Sequence, residues 1–157
     1  TNDAGYGLLC EGSGTNVDVT ECCFKKCMGC GIAVGNGATA TASRCDITEN
    51  GKVGVSGLGA NTKVRLDDCQ MHHNGYNGLV AADHAVVDLH GTKTDVHFNK
   101  MVGIAVDNAK VNIHLPSQHN TTHDNVVQDR FQANGGSIAN INADGTFTHV
   151  EAGDEDD

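Results

Sequence analysis

A glycine followed by an apolar alternation recurs along this chain: Gly7-Leu8-Leu9-Cys10, Gly31-Ile32-Ala33-Val34, Gly54-Val55-Ser56-Gly57, Gly78-Leu79-Val80-Ala81 and Gly103-Ile104-Ala105-Val106. The intervals are 24, 23, 24 and 25 residues. A near-constant period of this length marks a solenoid, because one unit cannot bury its apolar face alone and must stack on the next. Within each lap the apolar residues fall at every second position in short runs broken by Gly and Asn, so the units are strands rather than helices.

Three runs fit each lap. The inward columns of the first run are Leu8, Ile32, Val55, Leu79, Ile104 and Cys10, Val34, Gly57, Ala81, Val106. Those of the second are Val17, Ala40, Val64, Val87, Val111 and Val19, Ala42, Leu66, Leu89, Ile113, and a shorter third run supplies Phe24, Ile47, Met71 and Val96. Three strands per coil at this coil length predict an all-β, parallel β-helix of about five coils over residues 1–125. Asn50, Asn74, Asn99 and Asn125 close successive laps, with Cys27 at the equivalent place in the first. Stacked Asn side chains hydrogen-bond up a ladder at the inter-strand spacing of about 4.8 Å, and Asn tolerates the left-handed backbone of tight corners. Five coils at that spacing make a rod about 24 Å long.

After Asn125 the rhythm fails. Residues 126–150 contain Asp144-Gly145 between Ile141 and Phe147, a hairpin signal, and are expected to cap the last coil against edge-to-edge association. The first coil starts at about residue 5 without such a cap, so upstream sequence in a larger protein is expected. Glu151, Asp154, Glu155, Asp156 and Asp157 form an acidic tail at 151–157 that supplies half of the formal net charge of −10. This tail is expected to be disordered and solvated.

The laps, with their transitions "ENGKVGVSG" and "HNGYNGLVA", resemble the right-handed parallel β-helix repeats of pectate-lyase-like enzymes and of F-box substrate-receptor proteins. The resemblance covers residues 5–125. It implies the fold and its right hand; the function stays open, since this fold carries lyases, hydrolases, epimerases, tailspikes and non-catalytic binding modules. Asp67-Asp68 resembles the paired aspartates of polygalacturonases, but the Gly-His-Gly and Arg-Ile-Lys companions are absent. The Asp-Pro-His-Asp signature of alginate epimerases is also absent, because the one Pro, Pro116, precedes Ser117. No catalytic residue carries over from those families.

Function must lie on outward columns, because core fills the inward ones. The second run presents Asp18, Thr41, Arg65, Asp88, Asn112 and Thr20, Ser43, Asp67, His90, His114. Arg65, Asp67, Asp88, His90 and His114 therefore form the candidate catalytic set. Arg65 would bind a uronate carboxylate, His90 or His114 would serve as base, and Asp67 would orient the base or help hold a metal. No cofactor is required, and calcium enters only if the substrate is a uronate. The ordinary alternative is a solvated sheet face.

The outward column of the first run differs in kind: Leu9, Ala33, Ser56, Val80 and Ala105 are small and mostly apolar. A contiguous apolar face marks an interface, so this column is the candidate binding face. A dedicated metal site is not expected. His72 and His97 stand one coil apart with His73 beside them, and His119 and His123 flank the sequon Asn120-Thr121-Thr122, but no closed set of four ligands is apparent. Cys22, Cys45 and Cys69 align as an inward column of small hydrophobes with Cys10 in the same role. Cys27 and Cys30 lie at a corner, where redox or metal use stays open.

Seven Cys is an odd count, which favours reduced thiols and a cytoplasmic setting; the sequon at Asn120 points the other way. The acidic balance excludes binding driven by nucleic-acid or lipid phosphates, which needs clustered cations. The leading expectation is a non-catalytic recognition or scaffold module that binds a polypeptide or polysaccharide on a sheet face. The alternatives are a small polysaccharide lyase, epimerase or hydrolase, and a structural fibre or spike segment. Self-association through the uncapped N-terminal end or the apolar face is a further expectation. Ice binding is disfavoured, since no outward column carries a regular Thr array.

Overall fold

The computed structural model describes residues 5–114 and 121–149. The sequon residue Asn120, Pro116, His119 and the acidic tail lie outside the described residues. The first coil comprises β1 (Leu8–Glu11), β2 (Asn16–Thr20) and β3 (Cys23–Lys25), and the second β4 (Ile32–Gly35), β5 (Thr39–Ser43) and β6 (Asp46–Thr48). The third holds β7 (Val55–Leu58), β8 (Lys63–Asp67) and β9 (Gln70–His72), and the fourth β10 (Leu79–Ala82), β11 (Val86–His90) and β12 (Asp95–His97). The fifth is β13 (Val102–Asp107), β14 (Lys110–His114) and β15 (Thr122–His123). Strand after strand pairs in parallel with its equivalent one coil on, giving three sheets: β1-β4-β7-β10-β13-β16, β2-β5-β8-β11-β14-β17 with β18 at its end, and β3-β6-β9-β12-β15, where β16 (Gln128–Ala133), β17 (Ser137–Ile141) and β18 (Phe147–His149) follow the fifth coil.

Register follows the repeat. Leu8 pairs with Ile32, Ile32 with Val55, Val55 with Leu79 and Leu79 with Ile104. The inward columns are sealed: Ile47, Leu66, Met71, Leu79, Val87, Leu89, Val96, Ile104 and Ile113 are fully buried. Among the described residues no coil lies beneath the first, and there Leu8, Val17, Val19 and Phe24 are partly buried.

The glycine that opens each lap is demanded by close approach. A Cβ on Gly31 would sit 2.6 Å from Ile47 Cγ2 and 2.9 Å from Gly54 O, and one on Gly54 would sit 2.6 Å from Gly78 O. The Asn ladder forms as expected: Nδ2 of Asn50, Asn74 and Asn99 donates to Oδ1 of Asn74, Asn99 and Asn125 at 3.0, 3.0 and 2.9 Å. Cys27 takes the Asn place in the first coil, where its backbone N–H donates to Asn50 Oδ1 at 3.0 Å. One detail of the expectation is corrected. The left-handed corner residue is the one before each Asn, namely Lys26, Glu49, His73, Phe98 and Asp124, with φ of 58°, 55°, 56°, 51° and 55°.

The segment after Asn125 continues the solenoid before it turns back. Arg130 pairs with Ile104 and Ile138 with Val111, so β16 and β17 add two strands of a sixth coil. The hairpin expected at Asp144-Gly145 follows, with β18 antiparallel to β17. The lap is hidden in the sequence because both diagnostic residues are replaced. Asp129 follows Gln128, the partner of Val102, and so takes the place of the lap glycine, while buried Arg130 takes that of the inward aliphatic. Asp129 Oδ1 accepts from Asn125 N at 3.0 Å and from Asn125 Nδ2 at 2.8 Å, and thereby terminates the ladder.

Candidate functional site

Strands β8, β11 and β14 lie side by side in the second sheet. The parallel register places Arg65 beside Asp88, Asp67 beside His90, and Asp88 beside Asn112. The five residues of the candidate catalytic set are therefore brought together on one outward face. Arg65 Nη2 donates to Asp67 Oδ2 at 3.3 Å, and Asp88 Oδ1 lies 2.7 Å from His114 Nε2 and accepts from Asn112 Nδ2 at 3.1 Å. The His90 and His114 rings stack with centroids 4.1 Å apart and planes 11° from parallel. Burial, then the neighbouring His114, then the Arg65 guanidinium hold the His90 imidazole below its ordinary pKa. A neutral imidazole is suited to accept a proton, but these groups answer one another on an open sheet. Clefts lie at the sheet margins, one of them lined by Arg44, Asp46, Asp68 and Lys93.

The third sheet carries an array that the sequence reading only half identified. His72 and His97 are adjacent in register, as expected, and His123 continues the column on β15. The three rings stack at 5.0 Å and 5.3 Å with interplanar angles of 8° and 6°. One residue before His73, His72 is fully engaged: Nε2 lies 2.8 Å from Asp46 Oδ1 and Nδ1 lies 2.7 Å from His73 Nδ1. His123 Nδ1 bonds to Asp124 Oδ2 at 2.8 Å and Nε2 to Asp95 Oδ2 at 3.1 Å. The hydrogen bond to Asp124 first, then that to Asp95, raises the His123 pKa, whereas burial lowers that of His97. The missed signal was the offset from the ladder: His72, His97 and His123 each stand two residues before Asn74, Asn99 and Asn125. Reading His123 against the nearby His119 instead concealed it.

The first sheet bears the apolar column in the expected register, Leu9 beside Ala33, Ser56, Val80 and Ala105, and extends it by one residue to Phe131. Leu9 is 50% and Phe131 43% exposed. Leu58 is exposed at the end of β7 on the same sheet. The turn that leads into this sheet carries Tyr6, Met28, Tyr76, Met101 and Val127, all exposed. Its backbone bonds run from coil to coil, Met101 N to Tyr76 O and Val127 N to Met101 O, so these side chains recur in step along the rod.

The cysteines divide by coil. Cys10, Cys45 and Cys69 are buried and Cys27 and Cys30 are intermediate. Cys22, expected as the first member of the Cys45 and Cys69 column, is exposed instead, because no coil among the described residues lies beneath it to bury the thiol. Burial pushes the Cys69 thiol up to about 11, which makes it inert as a nucleophile.

Over residues 6–151 the chain matches the family described as "Right handed beta helix region". The chain belongs to that family. Comparison with curated proteins and with solved structures returns no match.

Proposed function

We propose that this β-helix is a non-catalytic recognition or scaffold module that binds an extended partner on the outer face of its first sheet. A polypeptide suits that face better than a polysaccharide. The observation that carries the reading is the segregation of apolar surface. Among the described residues, nine of the eleven large exposed hydrophobics lie on the first sheet or the turn entering it, Phe98 and Phe147 being the exceptions. Exposed apolar patches of this extent mark interaction surfaces, and rigid aromatic and Met side chains are the residue types enriched at interface centres.

The test is retention on arrayed apolar peptides and on a glycan panel, comparing the parent chain with Leu9→Glu, Val80→Glu and Phe131→Glu. Peptide retention lost in the three variants, with the far-UV spectrum unchanged, supports the reading. Unaltered retention and an unaltered oligomeric state remove that face.

A second reading, a polysaccharide lyase, epimerase or hydrolase, is favoured by the convergence of Arg65, Asp67, Asp88, His90 and His114 on three neighbouring strands. Incubation with polyuronates, with and without calcium, checks it through the absorbance of unsaturated products and the appearance of new reducing ends. Turnover abolished by Arg65→Ala and His90→Ala establishes this reading and overturns the first.

A further inference from the structure

We propose that Asp95, His97 and His123 form a binding site for one divalent metal ion of the zinc class, bridging the fourth and fifth coils. The reasoning begins with donors and acceptors. His123 Nδ1 bonds to the Asp124 carboxylate at 2.8 Å, and that bond places a ring proton on Nδ1. Nε2 faces Asp95, whose Oδ1 is 2.9 Å and Oδ2 3.1 Å away, and a metal ion there would take the place of the Nε2 proton. His97 Nδ1 stands 3.4 Å from Asp95 Oδ2. Asp95 Oδ1 and His97 Nδ1 are both buried and have no hydrogen-bond partner among the described residues. Three ligand atoms, one from each residue and within 4.8 Å of one another, thus converge where an ion that displaces the Nε2 proton would sit. A buried polar atom without a hydrogen-bond partner is costly, and an ion coordinated by all three residues relieves Asp95 Oδ1 and His97 Nδ1.

The chemistry of the set points to zinc rather than calcium, since two imidazoles and one carboxylate match its preference for nitrogen and oxygen at four-coordinate sites. Three protein ligands leave one position open. A cleft of about 240 Å³, lined by Gln70, Thr92, Lys93 and Thr94, opens onto Asp95 and His123 and gives room for a water or an anionic oxygen there. Asp124 supplies the outer-shell carboxylate that orients a ligating histidine.

The other His/Asp group, Asp88, His90 and His114, lacks these features. Asp88 Oδ1 already receives both His114 and Asn112, and the Arg65 guanidinium acts on His90 and disfavours a second cation there. His72, although next in the stack, has both ring nitrogens engaged.

The exposed thiols Cys22 and Cys23 would compete for zinc, so the test uses full-length chain with accessible thiols alkylated. Zinc chloride is titrated by calorimetry and by the imidazole resonances of the histidines. One equivalent per chain, with His97 and His123 resonances moving and those of His90 staying, is the expected result. His123→Asn, at a half-exposed position, and Asp95→Asn should each weaken binding by at least the roughly 10–100-fold typical of losing even an outer-shell partner. His72→Asn should bind as the parent does. Absence of saturable binding, binding unchanged in His123→Asn and Asp95→Asn, or resonance shifts confined to His90 and His114 would each overturn the assignment. Thermal scans with and without zinc make the test independent of any folding defect: the ion should raise the midpoint of the parent and of His72→Asn but not of His123→Asn.

Discussion

Replacing Asn74 by Ala tests whether the ladder holds the coils together or merely decorates their corners. The Asn74 side chain is fully buried. Its Oδ1 accepts from Asn50 N at 3.1 Å and Asn50 Nδ2 at 3.0 Å, and its Nδ2 donates to Ile47 O at 3.1 Å and Asn99 Oδ1 at 3.0 Å. Alanine removes all four bonds. Asn50 N is stranded in a buried corner, at a cost of about 1–3 kcal/mol, and each remaining bond is worth about 0.5–1.5 kcal/mol. The sum for Asn74→Ala is about 2.5–7.5 kcal/mol, a large share of the roughly 5–15 kcal/mol that stabilises a typical domain. Asn74→Asp separates the two halves of the role. The carboxylate still accepts from Asn50 but donates nothing to Ile47 O and opposes Asn99 Oδ1, so it should destabilise at least as much as alanine. Asn16→Ala, at an exposed position on β2, should stay within about 0.5 kcal/mol of the parent. Urea denaturation followed by far-UV circular dichroism reads all three. A loss under about 1 kcal/mol for Asn74→Ala, or a parent-like Asn74→Asp, would refute the reasoning that the bonds are worth their buried-group values.

Further tests use other parts of the fold. Gly54→Ala puts a Cβ 2.6 Å from Gly78 O and 2.8 Å from Asn74 Nδ2, so it should cost about 1–3 kcal/mol or more by overpacking. Gly14→Ala, at a φ of 83° with nothing within 4 Å, should cost only the left-handed backbone penalty of about 1–2 kcal/mol; the two urea midpoints must separate in that order. Alkylation of the native chain, counted by mass spectrometry, should label Cys22 and Cys23 and spare Cys10, Cys45 and Cys69 until denaturant is added. Labelling of Cys69 at the same rate would contradict its burial. His90 should titrate below its ordinary value in an NMR pH series, and Arg65→Gln should move that midpoint upward by removing one of the groups that depress it. The unfolded chain then holds more protons than the folded one between the depressed value and 6.5, so His90 makes stability rise with pH through that window and contributes no penalty above it. A stability profile whose slope there is unchanged in His90→Asn would contradict this.

The period of about 24 residues, the alternation within each run and the recurring Asn were enough to establish strands, their parallel register and the core, from Leu8 beside Ile32 to Val87 beside Val111. They suffice because in a solenoid each residue's principal neighbour is its own equivalent one lap on, so sequence distance translates directly into contact. The same logic predicted that Arg65, Asp67, Asp88, His90 and His114 would share a face. It failed in two places. Asp129 and Arg130 stand in for glycine and an aliphatic and so concealed the sixth coil, and His123, which stands beside His97 in register, was obscured in the sequence by the nearby His119. Which polar groups find partners was decided by tertiary structure alone. Hydrogen bonding depends on side-chain direction and burial: Asp88 is satisfied by His114 and Asn112, whereas Asp95 Oδ1 and His97 Nδ1, on the next sheet and with the same residue types, are not. Periodicity reports which residues are neighbours, while the choice between a self-satisfied surface and a ligand site is made by atoms within a few ångströms of one another.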